Sequence, residues 1–166
     1  MAEPARSGRR DCVSRQTKRC IKFGSFVLLT LYIAVLIYVC FFSEDYGRDV
    51  ITSYYRYNLI PFKEIRRFYI YRDVVGIRAF LANLFGNVLA FMPYGFFMPI
   101  LRPKLRRMNR MFLAAFLLSL TIEITQLLTR VGSFDVDDLI LNTAGGIAGY
   151  LLFYIMNKIR SKWDGA

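Results

Sequence analysis

Histidine is absent from the 166 residues, which removes the commonest general base and metal ligand from any mechanism. Cysteine is scarce: Cys12, Cys20 and Cys40 stand apart, without the paired spacing of a zinc site or a disulfide framework. Charge is missing over long stretches. Phe23 to Phe42, Ala79 to Leu101 and Leu139 to Asn157 carry none, and Met111 to Thr129 carries only Glu123. A bilayer crossing needs roughly 20 apolar residues, and all four blocks are near that length. No small-x-small cleavage site follows the first block, so it is expected to remain as an anchor and not to leave as a signal peptide.

What is present is grease and basic charge. Hydrophobic residues make up 55% of the chain, above the roughly 45–50% of ordinary globular domains. The pattern is that of an all-α membrane protein, a bundle of four transmembrane helices with no sizeable soluble domain. It divides into a basic tail (1–22), a transmembrane region (23–157, with spans at about 23–42, 79–101, 111–129 and 139–157) and a short C-terminal tail (158–166). The net charge of +11 is distributed by topology. Seven basic residues precede the first span, five lie between Arg102 and Arg110, and three follow the last span. The positive-inside rule then puts both termini in the cytoplasm and residues 43–78 and 130–138 outside. The basic excess is thus an orientation signal and an anchor to anionic lipid, and no nucleic-acid partner is expected.

Counting about 1.5 Å per residue from the outer ends gives each polar residue a depth. Asn83 and Asn87 lie four apart in the second span, Glu123 and Gln126 three apart in the third, and Asp138 and Asn142 four apart at the start of the fourth. All fall in the outer half, which predicts one shared polar pocket opening outward. A carboxylate within a span costs at least about 2.5–3.5 kcal/mol, so Glu123 is the strongest candidate, with Arg130 or a loop arginine as its counter-charge. Asn and Gln can also serve simply as interhelical hydrogen-bonding groups. Among Asp135, Asp137 and Asp138, one can cap the fourth helix. Asp135 and Asp138 could face the pocket together while Asp137 looks to water. The stretch DVDD lacks the length and glycine of a calcium loop, and neither a metal nor another cofactor is expected. Small residues, Gly145 with Gly149, Ala144 with Ala148, and Ala82 with Gly86 and Ala90, suit close helix packing. Pro93 should kink the second span. The aromatic and Arg-rich link 43–78 suits the membrane interface, as a lid over the pocket.

Four blocks in order, RYNLIPF (56–62), NLFGNVLAFMPYG (83–95), SLTIEITQ (119–126) and FDVDDLILNTAGG (134–146), resemble the VanZ-like family of membrane proteins. The resemblance covers roughly Arg56 to Gly149, and the basic N-terminal tail lies outside it. It carries over to Arg56, Asn58, Asn87, Glu123, Gln126, Asp135, Asp138 and Asn142, nearly the set collected by depth. It implies an integral protein of the bacterial cell membrane, associated with resistance to teicoplanin-type glycopeptides.

Three functions fit these residues. The first is an envelope protein whose pocket binds a membrane lipid, a lipid-linked envelope precursor or another lipophilic ligand. Its ligand-binding set is Arg56, Asn58, Asn83, Asn87, Glu123, Gln126, Arg130, Asp135, Asp138 and Asn142. Arg56 and helix N-termini would attract phosphate or carboxylate there. The second is an intramembrane enzyme with Glu123 or Asp138 as general base. Against it stands the lack of a nucleophile beside an obvious base. The third is proton-coupled transport through Glu123, for which the inner halves of the spans offer no polar path.

Overall fold

The computed structural model describes residues 5–42, 55–71 and 77–164; the side chains of 5–14, 68, 77–80, 82, 83 and 162–164 are outside that description. Among the described residues, five α-helices run in the order α1 (Ala5–Phe42), α2 (Lys63–Ile70), α3 (Ile77–Leu101), α4 (Met108–Thr129) and α5 (Val136–Asp164). A short 3-10 turn, Pro103–Arg106, joins α3 to α4. Two two-residue strands, β1 (Tyr57–Asn58) and β2 (Phe134–Asp135), pair in parallel with Tyr57 opposite Phe134 and Asn58 opposite Asp135. Among the described residues, four segments are long and apolar enough to span a bilayer: Arg15–Phe42, Leu84–Leu101, Met108–Thr129 and Val136–Ser161. The strands and α2 sit together at one end of the bundle, called the strand end below. The 3-10 turn and its basic neighbours mark the opposite, basic end.

Glycine decides how the central helices meet. A Cβ at Gly145 would lie 2.2 Å from the Val88 carbonyl oxygen, and one at Gly149 would lie 1.9 Å from that of Met92. From the other side, a Cβ at Gly95 would fall 1.9 Å from the Gly146 carbonyl oxygen. The backbones of α3 and α5 therefore touch, as small-residue ladders permit in a medium where apolar side chains gain nothing by leaving lipid. Gly86 does not belong to this seam: a Cβ there would meet nothing within 4 Å. The sequence pattern grouped it with Ala90 because the spacing matches, but spacing does not say which face of a helix finds a neighbour.

α1 lies at the edge and is mostly exposed to what would be lipid. Its Tyr32 hydroxyl donates to the Ala90 carbonyl of α3 at 2.5 Å. α3 stays helical through Pro93 and Pro99. In α4, the hydroxyls of Thr121, Thr125 and Thr129 each donate to the carbonyl four residues earlier at 2.7 Å. Back-bonding of this kind hides a polar hydrogen inside the helix and suits a lipid-facing surface.

The two ends have different interiors. At the basic end Met111, Ala115, Tyr150 and Phe153 form an apolar cluster with Tyr94, Phe96 and Met98 around it. The loop there is tied down by Arg106, whose Nε donates to the Pro99 carbonyl at 3.1 Å while its backbone oxygen accepts from the Tyr150 hydroxyl at 2.7 Å. Its guanidinium also lies 5.8 Å from the Phe153 ring centroid. At the strand end the interior is polar: Asn58, Ser119, Glu123, Gln126, Asp135, Asp137 and Asn142 are all buried.

Candidate functional site: a buried polar cluster at the strand end

The hairpin of α4 and α5 turns at Arg130, which takes a left-handed conformation (φ 58°) and closes α4 as its C-cap. Residues 130–135 then lead back to α5. Asp135 caps that helix: its Oδ1 accepts the backbone N–H of Asp137 at 2.9 Å, one of the donors a helix N-terminus leaves without a partner. The same oxygen accepts from Asn58 Nδ2 at 3.1 Å, which fastens β1 to β2 through side chains as well as backbone. The Phe134 N–H adds a bond to the Arg56 carbonyl at 3.1 Å.

Glu123 reaches this cap from α4. Its Oε2 accepts the backbone N–H of Asp135 at 2.9 Å. Only 2% of Glu123 is exposed. Arg130, one of the two kinds of counter-charge expected for Glu123 beside a loop arginine, takes no part in this contact. Its guanidinium lies 4.7 Å from the Tyr55 ring centroid and donates to the Tyr55 hydroxyl at 3.4 Å. The left-handed turn at Arg130 sends the side chain off the face that a continued helix would have given it.

Asp137 overturns a second expectation. It is 1% exposed and does not face water. Its two oxygens accept the N–H groups at the start of α2: Oδ1 from Phe62, Oδ2 from Glu64 at 2.8 Å and from Ile65 at 3.2 Å. α2 has no side-chain cap of its own, and Phe62 sits at its N-cap in a left-handed conformation (φ 62°). That backbone is unfavourable for a bulky residue by about 1–2 kcal/mol, and the convergence of several amides on one carboxylate offsets it.

The remaining groups follow the same logic. Gln126 Nε2 donates to the Cys40 carbonyl at 2.9 Å, satisfying an acceptor in the last turn of α1. Asn87 Nδ2 donates to Asp138 Oδ1 and joins α3 to the first turn of α5. One turn deeper, Asn142 Nδ2 donates to the Ser119 hydroxyl at 3.0 Å. The Oδ1 of Asn142 has no donor, although the residue is only 4% exposed. The expected set is thus brought together at Asn58, Asn87, Glu123, Gln126, Asp135, Asp138 and Asn142, with Asp137 added. Arg56 contributes its backbone while its side chain is exposed, and the side chain of Asn83 lies outside the described residues.

Burial pushes the Asp135 carboxyl above its usual range, and the nearby Asp137 and Glu64 carboxylates act in the same direction. The hydrogen bonds from Asp137 N–H and Asn58 pull the other way and do not cancel it. Among the described residues no three Cys, Asp or Glu side chains converge as metal ligands would. The Ser119 hydroxyl accepts from the neutral amide of Asn142.

A bundle of four spans whose helix ends at one side are closed by buried side chains from neighbouring helices defines a multi-pass α-helical membrane protein. The chain belongs to the VanZ/LLP1 family, whose model matches residues 29–157. It is 30% identical over 133 residues to Protein VanZ of Enterococcus faecium, an overlap covering 79% of this chain and 74% of that protein. No solved structure matches it.

Proposed function

We propose that the chain acts in a bacterial cell membrane, with both termini cytoplasmic and the strand end outside, holding a lipid-linked or lipophilic envelope molecule at the outer leaflet. Through that contact it contributes to resistance toward teicoplanin-type glycopeptides. Membership of the VanZ/LLP1 family supports the class of function, and the clustering of basic residues at the other end supports the orientation.

The observation that carries the reading is the division of labour at the strand end. Glu123, Asp135, Asp137 and Asp138 all hold hydrogen bonds inside the protein. The exposed chemistry belongs to Arg56, Lys63 and Arg66, interleaved with exposed Leu59, Ile60 and Phe62. Cations beside apolar side chains fit the boundary between acyl chains and anionic head groups. The ligand therefore rests on this rim, and the buried cluster holds the rim in place. Commitment of Glu123 and Asp138 to such bonds favours binding over general-base catalysis.

The test is a susceptible Gram-positive host expressing, at matched membrane levels, the wild type, Glu123→Ala or Arg56→Ala with Arg66→Ala, challenged with teicoplanin and vancomycin. The wild type is expected to protect against teicoplanin, and both variants to lose protection. Protection unaffected by the arginine substitutions would remove the rim from the mechanism. No protection by the wild type would sever this chain from resistance.

A further inference from the structure

A second site lies at the basic end, away from the strand-end cluster. A cavity of about 610 Å³ opens between α3, the 3-10 turn and α4. Its walls divide by chemistry. Met98, Leu101 and Ala114 are apolar, whereas Arg102 and Lys104 stand at the rim and are exposed. Half-buried Tyr94 also lines the cavity, with Pro103 and Leu105 of the turn.

Neither cation at the rim has a carboxylate partner among the described residues, and the link 102–110 contains five basic residues and no acid. The cavity adjoins the end of a spanning helix, where acyl chains give way to head groups. A free inorganic anion would have no use for the apolar wall, and a neutral hydrocarbon would have none for two cations. An anionic phospholipid uses both, since basic pockets between transmembrane helices at a membrane surface suit acidic head groups. The volume lies within the roughly 300–1,000 Å³ of small-molecule sites.

We infer that this cavity is a binding site for one anionic phospholipid, its phosphate between Arg102 and Lys104 and an acyl chain along Met98, Leu101 and Ala114. The site stands independently of the function proposed for the strand end. It ties α3 to α4 at the point where only a short turn joins them.

Purified full-length protein in a neutral detergent would be titrated with phosphatidylglycerol, with phosphatidylcholine of the same chains, and with inorganic phosphate, bound lipid being counted by native mass spectrometry. Phosphatidylglycerol is expected to bind at least roughly tenfold tighter than phosphatidylcholine, at about 1 kcal/mol for each basic residue near a head group. Arg102→Ala with Lys104→Ala should abolish that preference. Lys158→Ala with Arg160→Ala removes the same charge from the same end of the bundle, at exposed residues outside the cavity lining, and should leave the preference within about threefold. Ala114→Trp, which fills the apolar wall, should weaken both lipids. Equal loss from the two charge pairs would reduce the effect to diffuse attraction and overturn the site. Equal binding of the two lipids would do the same, as would competition by phosphate alone at comparable concentration.

Discussion

The backbone N–H of Phe62 donates to Oδ1 of Asp137, a residue 75 positions later. Together with the bonds from Glu64 and Ile65 to Oδ2, this makes a carboxylate in the first turn of α5 the N-terminal cap of α2. One side chain thus fixes where the α2 segment enters and how it lies across the α4–α5 hairpin. The amides it accepts would otherwise be open at the start of an eight-residue helix, too short to persist alone.

Replacing Asp137 with Ala should therefore free the α2 segment before it unfolds the bundle. A loss of about 1–3 kcal/mol is expected, from a missing cap and from amides left without an acceptor. Hydrogen exchange is the informative readout: amides of residues 62–65 should exchange faster while those of α3 and α5 keep their protection. Unchanged exchange at 62–65 would show that other contacts hold α2.

Gly149 and Gly24 give opposite expectations for the same change. Gly149→Ala puts a Cβ 1.9 Å from the Met92 carbonyl oxygen, so α3 and α5 must separate. Overpacking costs about 1–3 kcal/mol or more, and here the obstacle is backbone, which cannot rotate away. Gly24→Ala meets nothing within 4 Å and should be tolerated. Thermal melting of the two variants in one detergent makes the comparison.

Asp135 predicts a pH dependence. Its pKa in the folded protein lies above the usual carboxylate range, chiefly because the group is buried. Between the unfolded and folded values the native state holds a proton that the unfolded chain has lost. Its contribution to stability is therefore largest below the unfolded value and declines as pH rises through the folded one. Asp135→Asn keeps an oxygen for the Asp137 N–H and removes the ionisation. At pH 7 it should melt no lower than the wild type, and any advantage should shrink as pH falls toward 4. A variant clearly less stable at pH 7 would mean that the charge itself strengthens the cap more than burial weakens it.

Asn142 carries a buried oxygen without a donor. Asn142→Leu removes that unsatisfied acceptor together with the bond to Ser119, whose hydroxyl can turn to its own helix. The net effect on melting is expected to stay within about 1 kcal/mol. A loss above about 2 kcal/mol would show that the amide oxygen takes a donor from its surroundings in the membrane.

The spans were legible because crossing a bilayer demands long apolar blocks, and few other structures produce them. Helix ends were less so. α1 is helical from Ala5, far into the basic tail, and α5 begins at Val136, ahead of its first long apolar run. Hydrogen bonding propagates a helix into polar sequence once it has formed, so hydropathy marks the buried portion only. Asn58, Asn87, Glu123, Gln126, Asp135, Asp138 and Asn142 were legible from depth and resemblance, since a polar group placed in lipid carries a cost that something must offset. What offsets it was not legible. Asp137 was missed as a buried group because period alone turned it away from its neighbours, and its partner is the backbone of α2, whose amides leave no mark in a sequence.

The sequence alone determined the number of crossings, the concentration of polar side chains toward one end and the basic charge at the other. Each of these follows from what a single segment gains or loses in a bilayer. Tertiary structure decided the pairings: Asp135 with its own helix and Asn58, Asp137 with α2, Gln126 with the end of α1, and Arg130 with Tyr55 in place of Glu123. The reason is that helix termini must find hydrogen-bond partners wherever the fold brings them, and only the assembled bundle says which side chain is within reach.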